Sequence, residues 1–130
     1  MILYVATSAA TKLLVSEPET TALQRFLAER PASDQAVASM LLHAELHCAA
    51  RRHPEIVAID AVNLVLDAIS LVDIRRGDLI AAPTMPGALR SNDAIHLAVA
   101  ARLAVDAVLT YDAELARAAE VLGLEVAAPV

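Results

Sequence analysis

A chain of 130 residues fits within the ~100–200 residues usual for one domain and leaves no room for a second independent core. Hydrophobic residues make up 58% of it with only three aromatics, two Tyr and one Phe, which excludes disorder and calls for an interior of Ala, Val, Leu and Ile. A net charge of −6 excludes binding of nucleic acid by overall attraction to phosphate. The remaining route to phosphate chemistry is local, through a divalent cation held by clustered carboxylates.

In chain order, Ile2 to Val5 reads as a short buried strand, and the opening has neither a basic leader nor a cleavage site of small residues. No uncharged apolar run approaches the ~18 residues that span a bilayer, so a soluble cytoplasmic protein without membrane contact is expected. Thr7 and Ser8 suit a helix cap, followed by helix over Ala9 to Val15. Glu17-Pro18-Glu19 opens a second helix to about Arg30, Pro31 to Asp34 breaks it, and Gln35 to Ala38 is a weak strand. Ser39 caps a third helix to about Arg52, and Pro54 introduces a fourth to about Ile69. The recurrence of Ile59, Val62, Leu66 and Ile69 gives that helix an apolar stripe and makes Asp60, Asn63 and Asp67 its solvated face. Leu71 to Ile74 is a third strand, and Arg75 to Arg90 a loop with room for one short helix. Asn92 to Leu103 is apolar on nearly every side and reads as a deeply packed helix. Strand Ala107 to Thr110, helix Asp112 to Leu122 ended by Gly123, and strand Leu124 to Ala127 complete the chain. This alternation implies an α/β fold with a parallel sheet of four to five strands covered on both faces.

Ligand sites of such sheets lie beyond the carboxyl ends of the strands, where chain order reverses. The first strand ends at Ala6, the fourth next to Asp112, and Asp93 lies in the first turn of the helix that feeds the fourth. Asp112 is also a plausible helix cap and Asp93 a plausible partner of a helix dipole. Glu45 is more telling. Its helical neighbours Leu41, Leu42, Cys48 and Ala49 are apolar, so its carboxylate points along the apolar stripe and needs an Arg partner or a metal ion. His43 and His47 have the i,i+4 spacing of zinc helices but lie roughly 200° around the helix from Glu45. They read as surface residues. His96 stands one turn from Asp93 and reads as a packed or capping residue, and the lone Cys48 as a small buried hydrophobe. Arg51, Arg52, Arg75, Arg76 and Arg90 are candidates for phosphate contacts, weighed against a solvated surface.

Four segments in order carry a resemblance: Met1-Ile2-Leu3-Tyr4-Val5-Ala6-Thr7-Ser8-Ala9, Ser39-Met40-Leu41-Leu42-His43-Ala44-Glu45, Asn92-Asp93-Ala94-Ile95-His96-Leu97-Ala98 and Leu109-Thr110-Tyr111-Asp112. Over essentially its whole length the chain resembles VapC-type PIN-domain ribonuclease toxins of toxin–antitoxin systems. The resemblance implies a Rossmann-like α/β/α sandwich, a site at positions 6, 45, 93 and 112 holding one or two Mg²⁺ or Mn²⁺ ions, and hydrolysis of RNA. It also implies a homodimer and a VapB-like antitoxin whose tail enters the acidic groove with an Arg or Lys. Ala6 stands where the family places a metal-binding Asp, leaving Glu45, Asp93 and Asp112, so little or no activity is expected of this chain. The intact flanking motifs suit an exchange made to silence a toxic nuclease better than gradual decay. Two other readings are a catalytically dead PIN module that binds RNA or protein and a receiver-like signalling domain. The second lacks a phospho-acceptor Asp at the end of a central strand.

Overall fold

The computed structural model describes every residue from Met1 to Val130. Its five strands are β1 (Ile2–Val5), β2 (Gln35–Ser39), β3 (Ser70–Val72), β4 (Ala107–Leu109) and β5 (Glu125–Ala127). All pair in parallel, in the order β3-β2-β1-β4-β5. The helices are α1 (Thr7–Leu14), α2 (Thr20–Ala28), α3 (Leu41–Arg52), α4 (Ile59–Asp67), α5 (Arg76–Ala81), α6 (Ser91–Leu103) and α7 (Ala113–Val121), with a 3₁₀ turn at Ala82–Thr84. From β1 the chain winds outward through β2 and β3, then returns to the other side of β1 for β4 and β5. The reversal therefore falls between β1 and β4, at the carboxyl ends of the two most buried strands.

Consecutive residues of β1 (Leu3, Tyr4, Val5) and of β4 (Ala107, Val108, Leu109) are all buried, as expected of central strands covered on both faces. Helices α1 to α4 pack on one another, and α6 contacts α5 and α7. The core is one cluster of 26 buried residues, rich in alanine: Ala9, Ala10, Ala38 and Ala119 have no exposed surface. These small side chains let helices approach the sheet closely, so few aromatics are needed. No helix is long and apolar enough to cross a membrane.

Several boundaries differ from expectation for identifiable reasons. Ala6 itself is the extended N-cap residue of α1, so Thr7 and Ser8 lie inside the helix. Ser39 accepts the Leu41 N–H through Oγ (3.2 Å) and does cap α3, but from the end of β2 and one residue before the N-cap position. Pro54 forms a turn rather than a helix start, and α4 begins at Ile59. Ile59 is consequently half-exposed while Val62, Leu66 and Ile69 are buried, and Asp60, Asn63 and Asp67 face solvent. Cys48 is exposed rather than buried. The stripe that α3 buries is Leu42, Leu46 and Ala50, at i, i+4 and i+8, and Cys48 is two residues, about 200°, from Leu46.

Candidate active site

Three helix N-termini meet at the carboxyl edge beside the reversal point. Helix α1 starts from Ala6 at the end of β1, α7 from Asp112 just past β4, and α6 from Arg90, with Asp93 in its first turn. The partial positive charge of these helix ends lowers the cost of gathering carboxylates there. Ala6, Thr7, Ser8, Arg90, Asn92, Asp93 and Asp112 line one pocket of about 200 Å³.

Ser8 ties two sides of this pocket together. Its Oγ accepts the Tyr111 N–H (2.9 Å) and lies 3.2 Å from Thr110 Oγ1, which in turn accepts the Asp112 N–H (3.1 Å). Asp112 caps α7 through Oδ1, which accepts from the Glu114 and Leu115 N–H groups (2.9 and 3.0 Å). Its other carboxylate oxygen makes no protein hydrogen bond.

Glu45 projects from α3 into an adjoining groove of about 800 Å³, which shares Thr7 and Asn92 with the first pocket and also contains Arg51 and Arg52. Its Oε1 accepts from Thr7 Oγ1 (3.0 Å) and meets His96 Nε2 (2.6 Å), while Oε2 accepts from Asn92 Nδ2 (3.1 Å). Behind it, His96 Nδ1 lies 2.6 Å from the Tyr4 hydroxyl, which accepts the Ser39 N–H (3.0 Å). Tyr4 and His96 are each only 1% exposed, and no buried side-chain polar atom lacks a partner. Burial pushes the Tyr4 hydroxyl up to about 12, with hydrogen bonds to Ser39 pulling against that rise.

The acids differ in their electrostatics. Burial pushes the Glu45 carboxyl up, but hydrogen bonds from His96, Asn92 and Thr7, with the charge His96 carries when protonated, outweigh it and hold the carboxyl below its ordinary value. Asp93 is raised, chiefly by burial and then by repulsion from Asp112, with Glu45 adding to the rise and His96 and Arg90 opposing it. Asp93 accepts no hydrogen bond from the protein. Asp93 and the free oxygen of Asp112 are hard donors that suit Mg²⁺ or Mn²⁺, which would relieve the crowding. Ala6 brings no ligand atom in its side chain to this pocket, and no three His, Cys, Asp or Glu are placed to hold an ion.

Residues 3–121 match the family described as PIN domain. The chain belongs to the PIN-domain family. It is 36% identical over 132 residues to Ribonuclease VapC47 of Mycobacterium tuberculosis strain CDC 1551 / Oshkosh, covering 98% of this chain and 97% of that one. It is 39% identical over 130 residues to Ribonuclease VapC46 of Mycobacterium tuberculosis strain ATCC 25618 / H37Rv, with the same coverage. Among solved structures, VapBC2 from Rickettsia felis, bound to a DNA fragment from its promoter, is similar with a TM-score of 0.78 at 12% identity over 98% of both chains. Mycobacterium tuberculosis VapC20, described as a Sarcin-Ricin loop cleaving toxin, has a TM-score of 0.69 at 15% identity over 89% of this chain and 94% of that one.

In this PIN domain three of the four expected positions, Ala6, Asp93 and Asp112, share one pocket, and the fourth, Glu45, lines the groove beside it. The His43 and His47 rings lie against each other at a tilt of 45° (centroids 4.3 Å apart) and take no part in either pocket. The five arginines divide: Arg51 and Arg52 border the Glu45 groove and Arg90 the Asp93 pocket, whereas Arg75 gives its N–H to Asp78 (2.8 Å), and neither Arg75 nor Arg76 lines a pocket there. Sequence reasoning did not single out Asn92, and it placed His96 near the site but favoured a packed or capping residue over the partner of Glu45 that it is. The available signal was a polar face, Asn92 and His96 one turn apart, on an otherwise apolar helix.

Proposed function

We propose that this chain is a metal-dependent endoribonuclease silenced at position 6, and that the active form is the toxin of a toxin–antitoxin pair. The observation that carries this reading is the position of Ala6. It directly follows the central strand and lines the same pocket as Asp93 and Asp112, whose unrelieved repulsion marks a place for a cation. The relatives named ribonuclease, similar over nearly the whole chain, support RNA as substrate. Mg²⁺ or Mn²⁺, when bound, supplies Lewis-acid stabilisation of a phosphodiester under attack. With an Asp at position 6, that residue, Asp93 and the free oxygen of Asp112 would hold it, with Glu45 reaching in from the groove. Arg51, Arg52 and Arg90 sit where the RNA backbone would pass.

The VapBC and other toxin–antitoxin complexes among the structural neighbours support a VapB-like antitoxin as partner, its tail entering the acidic groove with an Arg or Lys. Half-exposed Leu79 and Ile80 on α5 support self-association as a homodimer. A receiver-like role has no support, because the central strand ends without a phospho-acceptor Asp. Ala6 itself favours one second reading, a PIN module that binds RNA or protein without cutting. Mapping of RNA 5′ ends in cells producing the Ala6→Asp form decides between them. New ends clustered at one RNA site, absent with the given chain, are expected; an unchanged end profile favours the binding module.

A further inference from the structure

Glu45 is the best-anchored carboxylate at this edge, and the anchor reaches deep into the core. A carboxylate offers about four lone-pair directions, two on each oxygen. Thr7 and His96 occupy both on Oε1, and Asn92 takes one on Oε2, so a single direction, on Oε2, stays open to the groove. The proton order along the chain of bonds behind it follows from the donors. The Tyr4 hydroxyl accepts from the Ser39 N–H, so its own proton is free to go to His96 Nδ1. The imidazole then carries its proton on Nε2 and donates it to Glu45 Oε1; these two contacts measure 2.6 Å each, and the longer ones, Ser39 Oγ to Nδ1 (3.4 Å) and Thr7 Oγ1 to Nε2 (3.2 Å), fit the same order. The opposite tautomer would set a nitrogen lone pair against a carboxylate.

A purely structural role is a poor account of this arrangement. Tyr4 on the central strand and His96 on α6 are each 1% exposed, where an apolar pair would pack without any polar group to satisfy. The row runs across four elements, β2, β1, α6 and α3, and reaches the groove at Glu45, whose side chain is 17% exposed, with Thr7 beside it. We propose that His96, backed by Tyr4, is a positioning residue: it fixes the tilt of Glu45 so that only Oε2 faces a cation held by Asp93 and Asp112. This rests on the metal-dependent nuclease reading of the site.

Three measurements test it. Long-range ¹H–¹⁵N spectra of the given chain, which need no metal and no activity, should show His96 protonated at Nε2 and unprotonated at Nδ1, with Tyr4→Phe shifting the Nδ1 signal. Protonation on Nδ1 alone overturns the proposal. In the Ala6→Asp form, two amides then separate the roles of the ring nitrogens. His96→Gln reaches where Nε2 stands and retains a donor to Glu45, whereas His96→Asn overlays Nδ1 only. With folding checked by metal-free melting, calorimetric Mn²⁺ affinity should fall about 10–100-fold in the Asn variant and stay within about threefold in the Gln variant, the size usual for a lost partner of a metal ligand. Equal affinities in folded Asn and Gln variants overturn the positioning role alone. An Ala6→Asp form that binds no Mn²⁺ overturns the nuclease reading, and the proposal falls with it. Finally, the Mn²⁺ concentration for half-maximal cleavage should rise in the Asn variant in step with the measured affinity; a rise in the Gln variant alone would contradict the assignment.

Discussion

Asp78 and Asp93 are the same residue type, both partly or fully buried, both at the third position of a helix, yet the fold treats them in opposite ways. Asp78 on α5 is 3% exposed and accepts from Arg102 Nε and Nη2 (2.8 and 3.0 Å) and from the Arg75 N–H (2.8 Å). The Arg102 bonds, outweighing burial, hold it below its ordinary pKa. Asp93 on α6 accepts no hydrogen bond from the protein and faces Asp112, and it is raised. One carboxylate is neutralised and holds α5 to α6; the other is left short of a partner at the edge where strand order reverses. A charge the fold leaves unrelieved is free to bind an ion, and that distinguishes a site from a structural ion pair.

The contrast predicts opposite signs for the same substitution. Asp78→Asn leaves the Arg102 guanidinium facing a neutral amide and should destabilise the fold by about 2–3 kcal/mol, below the range for fully buried pairs because Arg102 is partly exposed. Differential scanning calorimetry should show a fall of roughly 6–12 °C. Asp93→Asn removes a like charge beside Asp112 and should stabilise the given chain at neutral pH, by less than about 1 kcal/mol. A loss of stability in Asp93→Asn as large as that in Asp78→Asn would erase the distinction.

Acidification sharpens the same comparison with smaller effects. The fold raises the pKa of Asp93, so it takes up a proton sooner there than in the unfolded chain. Its ionised form opposes folding at neutral pH, and the opposition fades as pH falls through the raised value. Asp78 and Glu45 are lowered, so their stabilisation is present above the ordinary carboxylate range and is lost as pH falls through their lowered values. In urea melts from about pH 7 to about pH 3, the Asp93→Asn gain should shrink first and the Asp78→Asn deficit only at lower pH. The reverse order would contradict the assigned directions.

What was legible in the sequence was whatever depends on local spacing. Strands β1 and β4 appear as short apolar runs, α6 as a helix apolar on nearly all sides, and Gly123 as the end of α7, where its φ of 82° needs a residue without Cβ. Glu45 drew attention because its helical neighbours are apolar, although the buried stripe proved to be Leu42, Leu46 and Ala50 and misplaced Cys48 as a result. The row behind Glu45 could not be read this way. Tyr4 and His96 are 92 residues apart, and His96 and Glu45 are 51 apart. Their meeting depends on β1 lying between β2 and β4, which no local period encodes. The start of α4 was missed because Pro54 fits a turn as well as a helix start, and the choice was made by tertiary packing.

The central claim is that position 6 alone separates this chain from an active nuclease. An Asp there has a local reason to be tolerated, since Ala6 is the N-cap of α1 with no side-chain cap, and an Asp cap contributes about 1 kcal/mol to offset crowding with Asp93 and Asp112. The decisive measurement compares the given chain and Ala6→Asp on total RNA, with Mn²⁺ or Mg²⁺ and with chelator, and includes Asp93→Asn in the Ala6→Asp form to exclude contaminating nuclease. The account predicts cleavage by Ala6→Asp only, abolished by chelator and by Asp93→Asn. A folded Ala6→Asp protein that cuts no more than the given chain would contradict it.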